Sequence, residues 1–115
     1  MRSLVLLAVA TAAASAADWQ LSYSLPKTAK ANFDTPLTIT VRDATGAPVA
    51  GAEVEAILTM VDMDHGEFKA VAKQVKPGVY QATTKFVMAG AWQIELRARK
   101  GADSASAKFR HEIRE

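Results

Sequence analysis

From residue 19 onward, apolar side chains recur at every second position, and no stretch of useful length keeps a period of three or four. A period of two sends successive side chains to opposite faces of a pleated strand, so such a chain builds sheets with one buried face. Trp19, Leu21, Tyr23 and Leu25 alternate with polar residues, and Pro26 and Lys27 end that run. Leu37, Ile39 and Val41 alternate with Thr38, Thr40 and Arg42, where threonine suits the outer face because it is β-branched. Val54, Ala56, Leu58 and Met60 form a third set, in which Ile57 is the one apolar residue out of phase. Residues 68–75 are a weaker strand. Tyr80, Ala82, Thr84, Phe86 and Met88 share a face, as do Trp92, Ile94, Leu96 and Ala98, and finally Ala105, Ala107, Phe109, His111 and Ile113.

Turn chemistry separates these runs. Asp43, Gly46 and Pro48 punctuate one boundary and Gly101 another. Lys76-Pro77-Gly78 fits a type II turn, with proline at its second position and glycine where φ must be positive. Seven short strands at intervals of about 8–12 residues predict an all-β, antiparallel sandwich of immunoglobulin-like architecture. Trp92 and Tyr80, large and in phase, are expected in its core.

The first residues belong to something else. One positive charge, Arg2, precedes an apolar run over residues 4–14 broken only by Thr11, and Ala14-Ser15-Ala16 offers small residues to a signal peptidase. This reads as a secretory signal peptide over residues 1–16, with cleavage after Ala17 as the alternative. The run is about half of the roughly 20 residues a membrane span needs. The expected product is one periplasmic domain, residues 17–115, with no span left after cleavage. Its charge is nearly balanced, since the leader takes only Arg2 from 14 basic residues set against 12 acidic ones. Nothing in that balance attracts nucleic acid or an anionic membrane. There is no cysteine, so disulfides, thiolate metal sites and cysteine nucleophiles are excluded.

The chemistry concentrates in Met60-Val61-Asp62-Met63-Asp64-His65-Gly66, which holds two of the four methionines and one of the two histidines. Met88 lies downstream, before Gly90 and Trp92. Thioether sulfur and imidazole nitrogen suit copper, with thioethers favouring Cu(I) over Cu(II). Met63 and His65 are the central candidate ligands, completed by Met60 or Met88. Each has a plainer role as well. Met60 and Met88 are in phase with core positions and methionine fills irregular gaps well, whereas His65 suits a solvated loop. Asp62 and Asp64 either orient His65 through hydrogen bonds or solvate the turn. His111, between Phe109 and Ile113, is expected to be an interior or rim histidine. An even number of strands between the Met60 loop and Met88 brings both to one end of the sandwich.

Met60-x-x-Met63-x-His65-Gly66, then Pro77-Gly78-x-Tyr80, then Met88-x-Gly90-x-Trp92 together resemble the YtkA-like domain and the related FixH group, over about residues 33–113. That resemblance implies a small β-sandwich outside the cytoplasmic membrane. It also implies copper handling, since FixH members are linked to assembly of copper-containing terminal oxidases.

The expected function is therefore copper binding or delivery in the periplasm, serving metalloenzyme assembly through a periplasmic or membrane-bound protein partner. The alternative is an assembly or interaction module with no metal. An enzyme is not expected. No Gly-x-Ser-x-Gly context is present, and a catalytic zinc usually takes three protein ligands, for which the residues offer at best His65 with Asp62 or Asp64.

Overall fold

The computed structural model describes residues 17–64 and 66–115. Residues 1–16, where a signal peptide is expected, and His65 lie outside the described residues. Seven strands follow in chain order: β1 (Gln20–Ser24), β2 (Asp34–Arg42), β3 (Glu53–Met60), β4 (Phe68–Lys76), β5 (Val79–Lys85), β6 (Gly90–Lys100) and β7 (Asp103–Ile113). All their pairings are antiparallel, in the order β1-β2-β5-β4-β3-β6-β7. No helix among the described residues is long and apolar enough to cross a membrane.

The ladder folds into two layers because β4 changes partner midway. Residues 68–72 pair with β3, from Leu58↔Phe68 to Val54↔Ala72. Residues 73–76 pair with β5, with a bulge between Gln74 and Lys76. A bulge bends and twists its strand, which carries the chain from one layer to the other. The weak alternation over residues 68–75 has this cause: a strand shared between two sheets keeps no single buried face.

Where a strand stays in one layer, the alternation predicts the core correctly. Leu37, Ile39 and Val41 from β2 share one core with Val54, Ala56 and Leu58 from β3 and with Ile94 and Leu96 from β6, which lie beside the β3 residues in the same sheet. Ile57, out of phase, is nevertheless buried on the outer face of its sheet, between Lys69 and Glu95 on the neighbouring strands. Long polar side chains can cover an apolar neighbour with their methylene stems while their heads stay wet. The arginines on that outer face are matched, with Arg97 paired to Glu95 and Glu55 and Arg99 to Glu53.

Tyr80 ties the layers together. Its ring is buried, its hydroxyl donates to the Val49 carbonyl at 2.7 Å, and it accepts from the Ala52 N–H at 3.0 Å. Tyr80→Phe should keep the packing and leave a buried carbonyl without its donor, at a cost of about 1–3 kcal/mol. Urea unfolding monitored by circular dichroism checks this, and an unchanged midpoint would show that water replaces the hydroxyl.

β1 and β7 close the opposite seam. The Tyr23 ring stands edge-on to Phe109 with centroids 5.0 Å apart, and its hydroxyl meets His111 Nδ1 at 2.8 Å. Burial pushes the Tyr23 phenol up from its ordinary range. At the start of the domain, the Ala17 N–H donates to the Ser104 carbonyl at 2.7 Å.

The register sorts the connections between two ends. Residues 25–33, 61–67 and 86–89 lie at one end, and residues 43–52, 77–78 and 101–102 at the other. Within the second group, the Asp43 carboxylate accepts from the Thr45 hydroxyl, the Ala47 N–H and the Thr45 N–H, and these bonds, the hydroxyl first, hold its pKa below the usual carboxylate range.

Candidate metal centre

The loop over residues 61–67 begins where β3 runs out of partners. Met60 is the last ladder residue, opposite Trp92, and one further bond, Val61 N–H to the Ala91 carbonyl at 3.0 Å, anchors the exit. The chain then bends through Val61, Asp62 and Met63. Asp64 closes the turn, its Oδ1 accepting from the Gly66 N–H at 3.0 Å, while Gly66 takes a φ of 81°. Aspartate commonly mimics a backbone turn through a bond to the N–H two residues on. Asp64 thus bonds within the turn itself.

Met60 is half-buried, and its side chain leans over Gly90. A Cβ built on Gly90 would stand 3.1 Å from the Met60 Cε, and Gly90 has a φ of 137°. Glycine at 90 therefore serves twice: it permits the backbone bend that starts β6 and leaves room for the thioether methyl. Met63 is 51% exposed, as its break from strand phase predicts. Met60 and Met63 line the same shallow recess, rimmed by Asp62, Asp64 and Glu67.

Met88 reaches the same end by another route. β5 stops at Lys85, and the Phe86 ring is buried against Trp92 with centroids 5.3 Å apart at 77°. Beyond Phe86 the chain has left the sheet, so the strand phase that pairs Met88 with Phe86 no longer applies, and Met88 is 39% exposed. Its backbone is fixed all the same, because its carbonyl accepts from Trp92 Nε1 at 2.9 Å. Met88 does not line the recess of Met60 and Met63.

The structure thus places Met60, Met63 and Met88 at one end and Met60 with Met63 at one recess. His65, the fourth candidate, lies outside the described residues. His111 is elsewhere, engaged with Tyr23 at the seam. Among the described residues no group of three His, Asp or Glu side chains is placed to hold an ion. Thioether sulfur is a soft, neutral donor and carboxylates lend a surface a negative field; Met60 and Met63 bring the first, and Asp62, Asp64 and Glu67 the second, to this one recess.

Period and motif alone do not reveal two features of this end. Trp92 is both core and clamp, holding the Met88 backbone through its ring nitrogen, and the Met88-x-Gly90-x-Trp92 spacing is the trace it leaves in the sequence. Phe33 and Val61, 57% and 45% exposed, add apolar surface to the same end.

A model of the YtkA-like family matches residues 13–97. No curated protein matches the sequence. Among solved structures, the crystal structure of the Lin-41 filamin domain is similar at 17% sequence identity, with a TM-score of 0.60, covering 86% of this chain and 94% of that one. At that identity the likeness is one of fold, and it agrees with an immunoglobulin-like sandwich.

Proposed function

This chain belongs to the YtkA-like family, and from that premise we propose that it is an exported copper-binding domain that holds Cu(I) at the Met60–Met63 end and passes it to a protein partner. The observation that carries the reading is the recess shared by Met60 and Met63. Met63 and His65 would be the principal ligands, with Met60 or Met88 completing the set. Bound there, copper supplies the redox-active centre that an acceptor enzyme needs. The domain itself contributes positioning: Gly90 makes room for the Met60 methyl and Trp92 pins the Met88 backbone. Thioethers and one imidazole bind without the depth of thiolates, which suits an ion that must leave again. No catalytic role is part of this proposal.

Cu(I) titration against a competing chelator tests it. One equivalent is expected. Met63→Leu removes the sulfur while keeping volume and apolarity, so stability should change by less than about 1.5 kcal/mol. Copper affinity should fall clearly, and further when His65→Ala is added. Zinc should bind weakly. Equally poor competition by the wild type and the double variant overturns the copper reading.

A second reading, a docking module with no metal, is favoured by one observation: Phe33, Val61, Met63 and Met88 all expose apolar surface at that end. Met63→Leu separates the two, because it preserves an apolar contact and abolishes a ligand.

Export to the periplasm is part of the same proposal. Ala17, the first residue of the expected mature chain, bonds to Ser104 at the end of the sandwich opposite the methionines. Intact mass of the periplasmic fraction should show a chain beginning at Ala17 or Asp18. A membrane-bound species retaining Met1 would contradict that.

A further inference from the structure

The partner change within β4 leaves a stretch of backbone with one neighbour. Residues 68–72 pair with β3 alone. On their other side β5 has turned away: its last rung with this strand is Lys73↔Gln81, and residues 82–85 pair only with β2. Among the described residues, no strand covers that edge of residues 68–72. In an antiparallel strand, alternate residues direct N–H and C=O groups to each side, so this half-edge presents a short row of open hydrogen-bonding groups.

The side chains select what can pair there. Ala72 is buried and Phe68 and Ala70 half-buried, while Lys69, Val71 and Lys73 point outward, with Val71 74% exposed. On the same outer face, across β3, the arginines of β6 are matched by Glu53, Glu55 and Glu95. Lys69 and Lys73, by contrast, form no ion pair among the described residues. They stand about 13 Å apart along the strand, with Val71 between them. Lysine on an edge is a recognised guard against self-pairing. Here the guard is specific: two copies joined antiparallel about Val71 would set Lys69 opposite Lys73 twice, and like charges directly opposite destabilise a ladder. An acidic strand meets no such barrier.

We propose that residues 68–72 are a docking edge for an extended acidic segment of a partner protein, which adds as a strand with carboxylates beside Lys69 and Lys73 and an apolar residue beside Val71. Main-chain bonds give such a complex its affinity and alternate side chains its selectivity. The edge starts directly after Glu67, at the margin of the methionine recess, and no metal is part of this pairing.

The probe is a fluorescein-labelled peptide with the core glutamate-alanine-valine-alanine-glutamate, compared with the same peptide carrying lysine for glutamate. Anisotropy with the purified protein should show a preference of roughly tenfold for the acidic peptide, shrinking at high salt. Amide exchange should slow within residues 68–72. Lys69→Glu with Lys73→Glu should reverse the preference, and Lys69→Gln with Lys73→Gln should abolish it. These side chains are exposed, and unchanged unfolding midpoints confirm that the variants fold. Equal binding of both peptides, binding of neither, or protection outside residues 68–72 overturns the proposal. So does a dimer in sedimentation that Val71→Asp disperses, since the occupant would then be a second copy.

Discussion

Trp92→Ala is expected to destabilise the domain by about 3–5 kcal/mol, the range for emptying a buried tryptophan site. The ring has no exposed surface and stands against two others, Phe86 at 5.3 Å and Phe68 at 6.0 Å between centroids. Those rings come from β4 and from the segment after β5, so Trp92 joins both layers at the methionine end. Its removal would also release the Met88 carbonyl from Nε1. For a domain of this size each kcal/mol moves the thermal midpoint by roughly 4–8 °C, and the loss should be visible as a fall of well over about 10 °C. Urea unfolding followed by circular dichroism gives the free energy, and the remaining Trp19 serves as fluorophore. A loss below about 1 kcal/mol would mean that the core collapses around the gap. Trp92→Phe separates the two roles: most of the packing stays, and what is lost is the bond to Met88.

The alternation of Leu37, Ile39 and Val41 and of Trp92, Ile94 and Leu96 is enough to assign these side chains to the core, because a strand with one layer on one side has only one way to face. Three kinds of residue escape that rule. Val71 and Val75 sit on β4, which belongs to both layers, and are 74% and 58% exposed although apolar. Ile57 is buried on the wrong side by its neighbours' side chains, a feature of the register between strands and not of any one strand. Met88 keeps the spacing of Phe86 but not its environment, since the strand has ended between Thr84 and Met88. For β4 and Ile57 the deciding feature is pairing with strands distant in the chain, and for Met88 it is the end of β5 at Lys85.

The candidate site was legible in its position and less so in its supports. Counting strands is enough to bring Met60 and Met88 to one end, because each antiparallel strand reverses direction. Phase breaking is enough to free Met63 from the core. Neither shows that the Met60 methyl rests over Gly90 or that Trp92 holds Met88, because both depend on backbone bends outside the ladder. The aspartates show the same limit. Asp64 is committed to the turn through Gly66, a role that its spacing allows but does not distinguish from one in orienting His65.

At the opposite end, Gly78→Ala is expected to destabilise the domain by about 2–4 kcal/mol, a large effect for one methyl group. Gly78 has the positive φ, 78°, that its place in the Lys76-Pro77-Gly78 turn demands. An L-residue there costs about 1–2 kcal/mol. The larger part is steric: an added Cβ would fall 2.5 Å from the Pro48 Cβ, 3.0 Å from its Cα and 3.1 Å from the Val41 carbonyl oxygen. None of these atoms is the free end of a flexible side chain. Pro48 is held by a bridge to Arg42 and by the Val49 N–H bond to the Val41 carbonyl, while the Val41 N–H donates to Gly78 itself at 2.8 Å. Relief of the clash must therefore move the β4–β5 turn away from β2 and stretch that last bond, and overpacking of this kind costs typically about 1–3 kcal/mol. Gly46→Ala is the control, since Gly46 has a similar φ of 87° but nothing within 4 Å of an added Cβ. It should lose only the conformational part, about 1–2 kcal/mol. Urea denaturation of the two variants side by side isolates the contact term. Equal losses would show that Pro48 yields freely and that the turn is not wedged against β2.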